Sequence, residues 1–288
     1  MSPGPRACAV TGASGYLGSR LCRSLTAQGW TVYRLGRAAA TDPLAVQWSL
    51  DGEPPVRFVA DTPIDALVHC AWDFRAVRWA DIERTNVQGS IRLLDAAHRA
   101  GVRDLVFIST ISAFTGCRSD YGRAKLQVEG ETLRLGGSVV RPGLVYGQTP
   151  GAMVQALTKA VTALPVVPLI GSGRQLQYLA HEDDLAALVA SLLEAGHPVV
   201  DTPVIAANEH PLTFREILAR LAAAHGRRAR LVPVPWRLIW AGLRAAETLG
   251  LRPGFRSDSV VSLVNQDPQP DFAMTRKLGA RFRAFGES

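Results

Sequence analysis

Thr11-Gly12-Ala13-Ser14-Gly15-Tyr16-Leu17-Gly18 follows the apolar run Ala7 to Val10 directly and opens a helical pattern near Tyr16. Glycines at the end of a strand permit a tight turn. They also let backbone N–H groups approach a pyrophosphate at the helix N-terminus, where the helix dipole favours an anion. Outward from this turn, apolar runs at Ala7 to Val10, Thr31 to Leu35, Ala66 to Cys70, Leu105 to Ile108 and Gly137 to Val140 alternate with amphipathic stretches. That alternation predicts an α/β fold, a Rossmann-type doubly wound parallel sheet. The clearest helix runs from about Ile82 to Ala100, with Val87, Ile91, Leu94 and Ala97 on one face and Gly101 as its C-terminal stop.

Beyond Tyr146 the punctuation changes, with Pro150, Pro165, Pro168, Gly171 and Gly173 in a loop-rich segment before a helix near Asp183. Residues 203–207 read as a strand returning to the sheet. Residues 213–226 and 236–250 read as helices of a smaller C-terminal lobe. The predicted division is a dinucleotide-binding domain at 1–147, joined by about 178–208, and a smaller α/β substrate-binding lobe at 148–177 and 209–288. The stretch Pro235 to Leu251 carries Trp236, Leu238, Ile239, Trp240, Leu243 and Leu249 beside Arg237, Arg244 and Arg252. It is too often interrupted by charge to span a membrane and reads as packing at a lobe junction.

The 288 residues, 47% hydrophobic and 20% charged, exclude a disordered chain, a collagen-like repeat and a coiled coil. Of the 32 basic side chains only Lys125, Lys159 and Lys277 are lysines, leaving 29 arginines spread along the chain. The net charge of +7 therefore comes from no basic block, and no nucleic-acid partner is expected. Cys8, Cys22, Cys70 and Cys117 have no metal-ligand spacing and read as reduced thiols. No leader pattern precedes the first strand, so the expected location is cytoplasmic.

Tyr121 and Lys125 stand at i and i+4, on one face of a helix. A cation beside a phenol favours the phenolate and draws its pKa toward neutrality, which suits a general acid/base. His181, Glu182, Asp183 and Asp184 are consecutive at a helix start, so they point different ways. Asp183 suits an N-cap, and no metal is expected.

Taken together, TGASGYLG at 11–18, HCAW at 69–72, TNV at 85–87, FISTIS at 107–112, YGRAK at 121–125, RPGLVYG at 141–147 and HEDDLA at 181–186 resemble the extended short-chain dehydrogenase/reductase family. This is the NAD-dependent epimerase/dehydratase type. The resemblance implies that Tyr121 exchanges a proton with a substrate hydroxyl or carbonyl and that Lys125 also binds the nicotinamide ribose. It implies a hydroxyl at the end of the preceding strand, Thr110, with Ser112 in reserve. For the cofactor it implies Gly12, Ser14, Gly15, Tyr16, Leu17 and Gly18 at the pyrophosphate and Leu50 near the adenine. Cys70, Ala71 and Trp72 fall beside the ribose and pyrophosphate, Asn86 on the adjacent helix, and Pro142 to Val145 near the nicotinamide. His69 belongs to the strand motif as a structural residue.

NAD-binding members carry an acid at the end of the second strand. Here Gly36 holds that place, and Arg34 and Arg37 suit a 2′-phosphate, so NADP is expected, with NAD the alternative. Nucleotide-sugar members place an arginine four residues after the last glycine of the 171–173 loop. Here that residue is Gln177, with Arg174 nearby. Trp72, Phe74 and Arg75 would line the substrate mouth.

The leading expectation is an NAD(P)-dependent epimerase or reductase acting on a hydroxyl/carbonyl pair of a sugar-type, nucleotide-linked small molecule. Ile111 and Ser112 replace the acidic pair of dehydratases and disfavour water elimination. One alternative is an NADPH-dependent reductase of small or polycyclic carbonyl compounds; a second is a non-catalytic NADP-binding redox sensor. A homodimer through helices at 82–100 and 121–135 is the oligomer that the resemblance suggests.

Overall fold

The computed structural model describes residues 6–38, 41–55, 64–148, 151–194, 202–251 and 254–286. Pro150 and Arg252, and the first residues of the proposed segment 1–147 and the last of 209–288, lie outside them. Seven strands form one sheet: β1 (Ala7–Thr11), β2 (Thr31–Gly36), β3 (Ala45–Gln47), β4 (Ala66–His69), β5 (Asp104–Ile108), β6 (Ser138–Pro142) and, later in the chain, β11 (Val204–Ala206). Their spatial order is β11-β6-β5-β4-β1-β2-β3, and every pairing is parallel. Parallel strands covered on both faces need apolar residues throughout, and β1 and β4 are buried along their whole length.

The first helix, Tyr16–Ala27, buries Gly18, Leu21, Cys22 and Leu25, and packs with the helix Glu182–Glu194 on one face of the sheet. The opposite face carries Val87, Leu93, Leu94, Ala97, Ala124 and Val128. They lie on the segment Ile82–Gln88, on the helix Gly89–Arg99 and on Asp120–Arg134, hereafter the tyrosine helix. The expected helix at 82–100 begins earlier, at Trp79, and is wound as a π-helix over Ile82–Gln88. Gly101 ends it as read, with φ +84°.

The remaining strands pair two by two: β7 (Leu144–Tyr146) with β10 (Leu179–His181), β8 (Val167–Ile170) with β13 (Leu231–Val234), and β9 (Leu176–Gln177) with β12 (Leu212–Thr213). Around them the helices Ala152–Ala163, Phe214–Ala224, Trp236–Thr248 and Ser257–Val264 enclose a separate apolar cluster centred on Leu169, Phe214, Ile217 and Leu218. The short strands of these pairs and β3 escape periodicity because two to four residues carry no readable alternation. Among the described residues no helix is long and apolar enough to cross a membrane.

The HEDD reading needs a correction. The helix starts at Glu182, so Asp183 lies inside its first turn and does not cap it. Instead the His181 ring nitrogen accepts from the Asp183 N–H at 3.2 Å, and Asp183 pairs with Arg20.

Candidate active site

β1 and β4 are neighbours whose chains turn away in opposite directions, so a crevice opens beyond their carboxyl ends. The glycine turn forms one side of it and His69 to Trp72 the other. Gly12 has φ +64°, and a Cβ there would lie 3.0 Å from the Ala71 backbone. A Cβ on Gly18 would lie 2.2 Å from the Gly12 carbonyl oxygen. Gly15 precedes the helix with no side-chain cap, and the first turn holds no acid. Ser14 and Gly15 are exposed. The uncompensated positive end of this helix thus faces open space, and these residues fit a dinucleotide pyrophosphate. Leu17 packs against the core beneath, and the Tyr16 ring lies close under Gly151.

The floor of the crevice is fixed by Thr11. Its Oγ1 accepts from the N–H groups of Cys70 and Ala71, both at 3.0 Å, and meets His69 Nδ1 at 2.7 Å. With those two N–H groups occupying its oxygen, Thr11 donates to Nδ1, and Nε2 donates to Ser90 at 2.8 Å. Burial pushes the His69 pKa down to about 3, so the ring is neutral. Asn86 uses both ends of its amide on the Asp73 backbone, at 2.6 and 3.0 Å. It shapes the loop beside the crevice instead of presenting its amide there. Leu50 is buried in the core, its carbonyl against Gly89. Pro142 is buried at the end of β6, its carbonyl accepting from Ile111, while Val145 packs against the core on β7.

The tyrosine helix is capped by Ser119, whose Oγ accepts from Gly122 at 3.1 Å. Gly122 is required, since a Cβ there would meet the Ser112 carbonyl oxygen at 2.4 Å. This close approach brings the end of β5 against the helix. The Thr110 hydroxyl lies beside the Tyr121 phenol, where it favours the ionised form, and it accepts from the Ser112 N–H at 3.2 Å. Of the two hydroxyl candidates, Thr110 is thus the one beside the phenol.

Lys125 is buried and donates to the Ile108 carbonyl at 2.7 Å. Its ammonium lies 4.1 Å from the Trp72 ring centre and 4.5 Å from that of Phe107. Loss of hydration brings its pKa down to about 7. The expected lowering of the Tyr121 pKa is not what this arrangement gives. Burial first, and then the negative charge of Asp258, hold the phenol above its ordinary value, against the opposing Thr110 hydrogen bond. The cause is positional: the ammonium is 5.9 Å from the phenol ring centre and engaged elsewhere.

Trp72 meets Tyr121 edge-on at 5.7 Å and Phe74 lies 5.8 Å from it, so two aromatic rings wall the phenol. Arg75 is held by both oxygens of Asp73, at 2.9 and 2.8 Å. At the far end of the crevice the two arginines part. Arg34 pairs with Asp42 at the surface. Arg37 is exposed, and its charge reaches Asp73. Arg174 lines a separate cavity of about 930 Å³, with Arg215, Glu216 and Pro233 to Pro235. Gln177 is buried, and its Oε1 accepts from Gln266 at 2.8 Å. The four residues of HEDD disperse: Asp184 pairs with Arg283, and Glu182 accepts from the Gln148 N–H.

Sequence reading missed a buried network behind the site. Glu129, one turn beyond Lys125, accepts from Arg141 at 2.9 and 2.6 Å and from the Ser109 hydroxyl. Its place at i+8 from Tyr121, on the same helix face, was the available signal.

The model of the NAD-dependent epimerase/dehydratase family matches residues 8–204. The chain belongs to this family. It is therefore an enzyme of the nicotinamide-dependent epimerase, dehydratase and reductase type. It is similar to a ceramide reductase of Caulobacter vibrioides, 26% identical over 79% of this chain and 73% of the relative. Another relative is the dTDP-4-dehydro-6-deoxy-D-allose reductase of a Streptomyces species, 26% identical over 92% of both chains. In structure it resembles the UDP-glucose 4-epimerase of Thermotoga maritima at 21% identity, with a TM-score of 0.68 over 89% of this chain and 96% of that one. At that identity the likeness shows the fold.

Proposed function

We propose that this epimerase/dehydratase family member is an NADP-dependent oxidoreductase that interconverts a hydroxyl and a carbonyl, with Tyr121 as the proton-transfer group. The observation that carries the reading is the contact of the Thr110 hydroxyl with the Tyr121 phenol inside the aromatic wall of Trp72 and Phe74. A carbonyl oxygen placed between Thr110 and Tyr121 receives one hydrogen bond from each. The phenol yields its proton as the alkoxide forms. When bound, the nicotinamide supplies or accepts the hydride. Lys125, with Trp72 and Phe107 around its ammonium, provides the positive charge behind the phenol and a donor for a ribose hydroxyl. Trp72 and Phe74 cover the phenol with their rings.

The NADP preference rests on Arg37 and on the open end of β2, where a Cβ on Gly36 would meet no atom within 4 Å. The name of the dTDP-4-dehydro-6-deoxy-D-allose reductase relative supports a sugar-type, nucleotide-linked substrate, with residues 148–177 and 209–288 forming the substrate side, whereas that of the ceramide reductase does not. A second reading has its own observation. Gln177, which the resemblance aligns with the diphosphate arginine of nucleotide-sugar members, is a neutral, buried amide tied to Gln266, while Arg174 opens into another cavity. This arrangement favours a carbonyl compound without a diphosphate.

The test is NADPH oxidation against two panels, nucleotide-linked keto sugars and uncharged ketones, with wild type and Tyr121→Phe. Turnover is expected with one panel and should fall by several orders of magnitude in Tyr121→Phe, with cofactor binding retained. Activity within tenfold of wild type in the variant would reject the role given to Tyr121.

A further inference from the structure

The first turn of the tyrosine helix is held from outside the sheet. Asp258, in the first turn of the lobe helix Ser257–Val264, accepts the Asp120 N–H on one oxygen at 3.0 Å and the Tyr121 N–H on the other at 2.9 Å. Two helix N-termini thus converge on a single carboxylate; burial, the largest effect, holds its pKa above the ordinary carboxylate value, and the two N–H donors and Arg256 work against that rise. The neighbouring Arg256 reaches across the mouth, donating to the carbonyls of Phe74 at 2.9 Å and Ala76 at 3.2 Å. Ser257 is anchored in turn, its N–H and hydroxyl both donating to Glu247 of the helix Trp236–Thr248. Residues 256–258 therefore grip the two walls of the site together: the loop that carries Phe74 and the turn that carries Tyr121.

We propose that Asp258 is a positioning residue contributed by the C-terminal lobe, which seats the first turn of the tyrosine helix and sets the charge environment of the Tyr121 phenol. The proposal rests on the reading of Tyr121 as the proton-transfer group. The charged groups facing the phenol are Lys125, from its own helix, and Asp258, from across the lobe boundary. Those facing Asp258 are Asp120 and Arg256. The Asp258 carboxylate opposes the phenolate, so the proton stays on Tyr121 until a substrate oxygen accepts it. That opposition depends on the lobe helix being in place, which gives the C-terminal lobe a direct hold on the acidity of the reacting group.

Asp258→Asn and Asp258→Ser remove the charge while leaving one oxygen to accept a backbone N–H. 3,5-Difluorotyrosine in place of Tyr121 brings the phenol into the pH range where the protein stays folded, and its fluorine resonance reports protonation without turnover. In both neutral variants the phenol is expected to titrate lower, by roughly half a unit to one unit, whereas Asp258→Glu keeps the wild-type titration. A folded neutral variant with an unmoved phenol overturns the proposal, leaving Asp258 a structural cap that affects thermal stability alone. A moved phenol accompanied by a matching move in the pH profile of NADPH turnover supports it. A moved phenol with an unmoved profile sustains the role of Asp258 and rejects Tyr121 as the proton-transfer group.

Discussion

The helix Tyr16–Ala27 buries Gly18, Leu21, Cys22 and Leu25 against the sheet, whereas Trp236–Thr248 in the C-terminal lobe buries no residue and leaves Leu238 and Trp240 exposed. The first is pinned by backbone. Its glycine positions admit no Cβ because strand, turn and helix touch there. The second lies on its cluster through Trp236, Ile239 and Leu243, contacts that many apolar residues could make. Where backbone meets backbone the residue type is dictated, and where side chains merely cover a surface it is not.

One methyl group added on either side puts this contrast to the sharpest test. Gly18→Ala drives a Cβ to 2.2 Å from the Gly12 carbonyl, with no flexible atom to give way. It should cost about 3 kcal/mol or more by urea unfolding and abolish dinucleotide binding. Gly242→Ala, in the lobe helix, meets nothing within 4 Å and should stabilise by about 0.5–1 kcal/mol. Equal effects of the two changes would break the comparison.

Ion pairs extend it at smaller scale. Glu129→Gln strands the guanidinium of Arg141, whose side chain is 16% exposed, and should cost about 3 kcal/mol. Glu209→Gln breaks the exposed pair with Arg276 and should change unfolding by at most about 0.5 kcal/mol. A loss for Glu129→Gln no larger than for Glu209→Gln would show that the network behind the site adds no rigidity.

The same contrast explains what could be read before the fold was known. The sheet strands, the glycine turn, the return of residues 203–207 to the sheet and the pairing of Tyr121 with Lys125 on one helix face were legible, because period and backbone constraint write them into residue types. The Arg34–Asp42 pair gave no signal, because Asp42 sits in a connection whose path no local pattern reveals. The acidity of Tyr121 was misjudged for a related reason. Spacing places Lys125 on the right face, but only tertiary packing turns its ammonium toward Ile108 and Trp72. Asp258 gave no signal at all, since its contact with Tyr121 spans 137 residues.

The proposed NADP-dependent oxidoreductase site on the sheet half is tested by titrating NADPH and NADH into wild type, Arg37→Ala and Arg34→Ala while following tryptophan fluorescence. NADPH is expected to bind wild type more tightly than NADH. That preference should shrink by about 1–3 kcal/mol in Arg37→Ala, the value of a charge-assisted contact, and persist in Arg34→Ala. NADH bound as tightly as NADPH by wild type, with Arg37→Ala weakening both alike, would contradict it.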